Sequence, residues 1–92
     1  MTTIAALYKI EGNDVAKIVR NAGQELVNAG SQEVVLDFSD VARVDIHGLA
    51  AIEELAAKTG EKSLRVTLRA VNVAIYKVLK LSRLSSRFSF SN

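Results

Sequence analysis

Ninety-two residues, 49% hydrophobic and 24% charged with no proline, suit a single globular domain over 1–92 and argue against a disordered chain. Zero cysteines exclude disulfides, thiolate chemistry and iron–sulfur clusters, and one histidine, His47, excludes a His-rich metal site within one chain. The net charge of +2 hides a split: residues 1–61 hold five bases against all ten acids, whereas residues 62–92 hold seven bases and no acid.

In chain order, Ile4 to Ile10 reads as a strand with apolar residues on both faces. Gly12-Asn13-Asp14 breaks it, and Asn13 or Asp14 can cap a following helix. Val15, Ile18, Val19, Ala22, Leu26 and Ala29 recur at helical spacing, and Gly30 suits the left-handed residue that ends a helix. Val34-Val35-Leu36-Asp37-Phe38 is apolar apart from Asp37, as in a parallel-sheet strand covered on both sides. A second helix is expected from after Asp45 to Thr59, with Gly60 as its terminator. Leu64 to Ala70 alternates apolar and polar residues, the mark of a strand with one wet face. Asn72 can cap a third helix carrying Ile75, Val78, Leu79 and Ser82 on one stripe. The tail, 85–92, reads as turn-like and frayed unless Phe88 or Phe90 pins it.

The order is βαβαβα, an α/β fold with mostly parallel strands. If the strands lie in sequence order, right-handed crossovers put every helix on one face of the sheet. The other face is then bare, although strand two is apolar on both sides. An extra N-terminal element or a partner subunit, a homodimer among the choices, is expected to cover it.

The functional reading starts from charge and from what is missing. No apolar run approaches the ~18 residues of a membrane span, and the first residues lack the layout of a secretory signal, so a cytoplasmic location is expected. Tyr76 alone stands among the C-terminal bases ahead of the tail, too few aromatics for a nucleic-acid stacking platform. Those bases read most plainly as a solvated face, and more sharply as a contact surface for an acidic partner. The five glycines are scattered, so no phosphate loop exists, and no Gly-x-Ser-x-Gly elbow supports a hydrolase. Asp37 and Asp40 could bind magnesium at the end of a strand, but the plainer reading of Asp37 is a carboxylate accepting backbone N–H bonds. No cofactor, metal site or catalytic residue is expected.

The segment Val34 to Leu49 (Val-Val-Leu-Asp-Phe-Ser-Asp-Val-Ala-Arg-Val-Asp-Ile-His-Gly-Leu) resembles the STAS domain of bacterial anti-sigma-factor antagonists. There a strand ending in Leu-Asp-Leu/Phe-Ser leads by a short loop to Asp-Ser-Ser-Gly-Leu at a helix start. Asp45-Ile46-His47-Gly48-Leu49 occupies that motif here, and Arg65-Val66-Thr67-Leu68 and Val78 to Leu84 are also similar to the family. The resemblance implies a STAS-like fold and a non-catalytic module that binds a protein partner. In phosphoregulated members a kinase that is also the anti-sigma factor phosphorylates the serine just before the glycine. Here His47 takes that position and Ile46 the preceding one, so a hydroxyl-based switch cannot operate, although the docking surface can survive. His47 could carry a labile phosphate, but a surface contact is the plainer reading. A related subgroup consists of accessory subunits that bind the ATPase of phospholipid-transport ABC systems and carry Asp-Thr-Gly-Gly-Leu; the present motif is about as similar to that form. A receiver-like phosphoacceptor domain is a weaker alternative, since only Glu11 could stand for its acidic pair.

The partner surface is expected over Ser39, Asp40, Arg43, Asp45, Ile46, His47, Gly48 and Leu49, with Glu53 one turn on. Asp45 would hold the helix start. Gly48 would permit close approach, and the first turn would present N–H groups that suit an anion. Ile46 and His47 would touch the partner, either an anti-sigma factor or an ABC ATPase subunit.

Overall fold

The computed structural model describes residues 6–11, 14–28, 33–62 and 65–91. Strand β1 (Ala6–Glu11) is followed by α1 (Val15–Asn28), β2 (Glu33–Asp40), α2 (Ile46–Lys62), β3 (Arg65–Arg69), α3 (Val73–Leu81), a 3-10 turn (Ser85–Arg87) and β4 (Ser89–Ser91). All four strands are parallel and lie in the order β1-β2-β3-β4. The fold is therefore the α/β arrangement expected, extended by one strand.

Period-two alternation decides which side of each strand is covered. Val34, Leu36 and Phe38 of β2 and Val66 and Leu68 of β3 are buried, and their in-register neighbours Tyr8 and Phe90 share that side. Onto it pack Val15, Val19 and Ala22 of α1, Ala51, Ile52, Leu55 and Ala56 of α2, and Ile75 and Leu79 of α3. Crossovers between sequential parallel strands are right-handed as a rule, which puts the helices together on that side.

The opposite side differs from the expectation. Asp37 lies in register between Lys9 and Arg69, and Glu33 beside Arg65, so two charged rows cross the strands. Between them runs one short row, Leu7, Val35 and Thr67. Strand two is thus less apolar on this side than its string of valines suggests, and water can serve most of it. Among the described residues no element covers this face.

The element boundaries show where local signals gave way. Helix α2 runs through Gly60 to Lys62 instead of stopping. A glycine inside a helix costs only ~1 kcal/mol, and it terminates one only where the chain needs a left-handed residue. That task falls elsewhere on two ordinary residues, Ala70 (φ 58°), which turns the chain off β3, and Arg83 (φ 60°), just past α3. After Arg83, the Leu84 N–H donates to Leu79 O at 2.8 Å and the Arg83 N–H to Lys80 O at 3.1 Å, the paired bonds of a Schellman end. Asp14 takes the position before α1, its carbonyl accepting from the Ile18 N–H at 3.0 Å. The expectations for Ile4, Ala5, Gly12, Asn13, Ala29, Gly30 and Leu64 lie outside the described residues.

The tail corrects the frayed reading through the condition attached to it. Phe88 is buried in the core, and β4 pairs with β3, Leu68 opposite Phe90. The buried Phe88 ring just ahead of β4 and the bond from the Ala70 N–H to Ser91 O at 2.9 Å both hold this segment against β3.

Candidate functional site

Parallel strands send all their following loops to one end of the sheet, and the loops after β2 and β3 are neighbours there. Strand β2 ends because the chain turns sharply, the Val41 N–H donating to Phe38 O at 3.0 Å. Just before, Asp37 Oδ1 accepts the Ser39 N–H at 2.8 Å. That bond is the main cause holding the Asp37 carboxyl below its ordinary value, helped by the Ser39 side chain and, more weakly, by the charges of Arg69 and Lys9. Asp37 is the backbone-binding carboxylate of the plainer reading. Among the described residues no group of three or more His, Asp or Glu is placed to hold a metal ion.

Asp45 opens α2. Its Oδ1 accepts the Gly48 N–H at 2.8 Å, and its carbonyl accepts the Leu49 N–H at 2.9 Å. The carboxylate thereby sits where an anion would bind a helix start, so the chain supplies its own charge to the helix dipole. This changes the expectation that the turn awaits an external anion. Gly48 is buried, and a Cβ there would stand 2.9 Å from Val44 Cγ1 and 3.1 Å from Val15 Cγ1. The close approach it allows is therefore to side chains of its own fold. Leu49 is half-buried against the core.

Ile46 and His47 point outward from this fixed start. Ile46 is 77% exposed, so its own core gives the side chain no cover. Arg43, Asp45, His47 and Glu53 are exposed, as are Ser39 and Asp40 at the end of β2. The structure thus gathers Arg43, Asp45, Ile46 and His47 at one tip, with Glu53 two turns along the helix. Gly48 and Leu49 support that tip from below.

Asn72 joins the two loops, a role its sequence position did not reveal. Its Oδ1 accepts the Ile75 N–H at 2.9 Å, capping α3 as expected. Its Nδ2 donates to Val41 O at 3.2 Å and Ala42 O at 3.0 Å, on the loop that leads into α2. An amide has both a donor group and an acceptor, so Asn can cap the helix and bond the loop at once. The only sequence signal was the capping residue itself; the partners 31 and 30 residues away become visible only in the fold.

Beyond α3 lies an open groove of about 290 Å³ lined by Val71, Val73, Tyr76, Phe90 and Ser91. None of the residues singled out at the α2 tip lines it.

A family model described as Mlab, STAS domain matches residues 12–88. No curated protein sequence matches the chain. Among solved structures, the chain is similar to a candidate anti-sigma factor antagonist from Thermotoga maritima, at 21% identity and TM-score 0.72, covering 91% of this chain and 73% of that one. An NMR structure of the same protein gives TM-score 0.73 at 17% identity, covering 91% of this chain and 70% of that one. A sulfate transporter family protein from Wolinella succinogenes gives TM-score 0.74 at 18% identity, covering 94% of this chain and 75% of that one. At these identities the solved structures speak for the fold.

Proposed function

Because the chain belongs to the STAS domain family, with the family model spanning residues 12–88, we propose that it is a non-catalytic module that docks a cytoplasmic protein partner through the start of α2. One observation carries this reading: Ile46 is a large apolar side chain held 77% exposed on a helix start that is itself fixed by Asp45 and, through the loop, by Asn72. An apolar tip held by these hydrogen bonds among charged neighbours has the make-up of an interface anchor. A reaction centre needs converging polar groups in a concave site, and the tip projects from the surface instead.

The first choice of partner is an anti-sigma factor, which fits the description of the Thermotoga neighbour. The second choice is the ATPase subunit of an ABC transporter. It is favoured by Ile46 and His47 themselves, since neither has a hydroxyl for a phosphate to occupy and the contact would then be constitutive. Photo-crosslinking from a probe at position 46 in cells, followed by mass spectrometry, separates the two by the protein captured.

His47→Asp tests the surface itself. The new charge beside Ile46 is expected to abolish partner capture while leaving thermal unfolding unchanged, since His47 is exposed and its side chain makes no hydrogen bond among the described residues. Undiminished capture by the variant would remove the α2 tip from the interface.

A further inference from the structure

The last third of the chain carries a surface that the α2 tip does not use. Helix α3 buries Ile75 and Leu79 and turns its other side outward. At 3.6 residues per turn, Val73, Lys77 and Lys80 form the middle of that side, with Tyr76 on one flank and Leu81 on the other. Val73 is 71% and Leu81 85% exposed. Tyr76 meets Phe90 of β4 edge to face, ring centroids 5.2 Å apart, and both rings remain exposed. With Val71, Val73 and Ser91 these rings line the groove of about 290 Å³. Exposed apolar side chains clustered around a concavity mark a binding surface more often than scattered ones do.

Charge selects the occupant. Residues 62–92 contain seven bases and no acid, and Lys77 and Lys80 stand exposed within about one turn of Val73 and Tyr76. The ion pair found among the described residues is Arg20 with Glu54, so neither lysine has a carboxylate partner there. A membrane-lying helix shows one continuous apolar face, whereas α3 has nine residues and interrupts Val73 and Leu81 with two lysines. We propose that the groove beside α3 docks an acidic protein segment, which inserts one large apolar side chain between Val73, Tyr76 and Phe90 and sets its carboxylates against Lys77 and Lys80.

The test is fluorescence anisotropy on the full chain at about 0.15 M salt, where exposed charges are screened beyond ~8 Å. The probe is a labelled synthetic peptide rich in glutamate, with one leucine and one phenylalanine a helical turn apart. Saturable binding is expected. The double variant Lys77→Glu, Lys80→Glu should weaken it ~10-fold or more, as like charge replaces opposite charge. Val73→Ser, which alters an exposed position and spares the core, should weaken it as well. His47→Asp should leave it unchanged, so failure here and failure of the α2 reading appear in different assays. An all-polar acidic peptide that binds equally well would overturn the proposal. So would indifference to the α3 substitutions, loss of binding on His47→Asp, or absence of saturable binding, including the case where the chain instead co-sediments with phosphatidylglycerol-containing vesicles.

Discussion

Two helical glycines, Gly23 and Gly48, show how one added methyl group can act in opposite directions. At Gly48 a Cβ would meet Val44 Cγ1 at 2.9 Å and Val15 Cγ1 at 3.1 Å, both on β-branched side chains that cannot swing away. Gly48→Ala is expected to cost ~1–3 kcal/mol despite the better helix propensity of alanine. At Gly23 the nearest atoms are Lys58 Nζ at 3.4 Å and Leu55 Cδ1 at 3.5 Å, ordinary contacts with a flexible lysine tip. Gly23→Ala is expected to gain ~0.5–1 kcal/mol. Urea midpoints at constant slope would read both signs. Tyr8 gives a residue-scale pH dependence. Burial first, then the hydrogen bond to Glu25 and its charge, push the phenol up to about 12. The folded state therefore holds this proton more tightly than the unfolded state, whose phenol ionises near ~10. The associated stability is complete below that lower value and disappears as pH rises through about 12. A Tyr76→Phe variant, leaving Tyr8 as the sole phenol, should show ultraviolet ionisation at the upper value, and Glu25→Gln should bring it down.

Elements at the proposed docking end are joined through the side-chain amide of Asn72. Asn72 caps α3 and grips the loop that carries α2, so the two helix starts share one anchor. The two jobs separate by chemistry. Asn72→Asp retains the acceptor for the Ile75 N–H but has no donor for Val41 and Ala42. It should preserve most of the α3 cap, cost about 1–2 kcal/mol through the lost loop bonds, and speed amide exchange in residues 41–45. Asn72→Ala should cost about 1 kcal/mol more, the value of a cap. Equal stability of the two variants would mean that the cap contributes nothing, and an Asn72→Asp variant as stable as the unaltered chain would mean the same of the loop bonds. The Arg20–Glu54 pair between α1 and α2 is bidentate, at 3.0 and 3.3 Å, but both side chains are about half exposed, and its share is at most ~1 kcal/mol. The α1–α2 seam therefore owes its stability chiefly to the apolar residues beneath that pair.

Across the whole molecule, sequential parallel strands leave one sheet face to the helices and the other to Lys9, Asp37, Arg69, Glu33 and Arg65. The Cα radius of gyration, 12.0 Å, is that of an ordinary compact chain of this length, ~12 Å. With so short a chain, the last buried side chain matters. Phe88→Ala should cost ~3 kcal/mol and release β4, which rapid amide exchange at residues 89–91 would register. Slow exchange there in the variant would show that pairing with β3 holds the strand without Phe88.

The βαβαβα order, the start of α2 after Asp45, the cap at Asn72 and the apolar stripes were legible in the residues alone, because they depend on side-chain periodicity and on contacts within one turn. So was the placing of Ile46 and His47 at a helix start. It took the folded chain to show that Ile46 finds no cover, that Gly48 lies under Val44 and Val15, and that Asn72 reaches back to Val41 and Ala42. The same holds for the charged rows that make the second sheet face wet and for the strand formed by Ser89–Ser91. Each of these depends on residues far apart in the chain meeting at a specific register, and no local pattern encodes a register between distant segments.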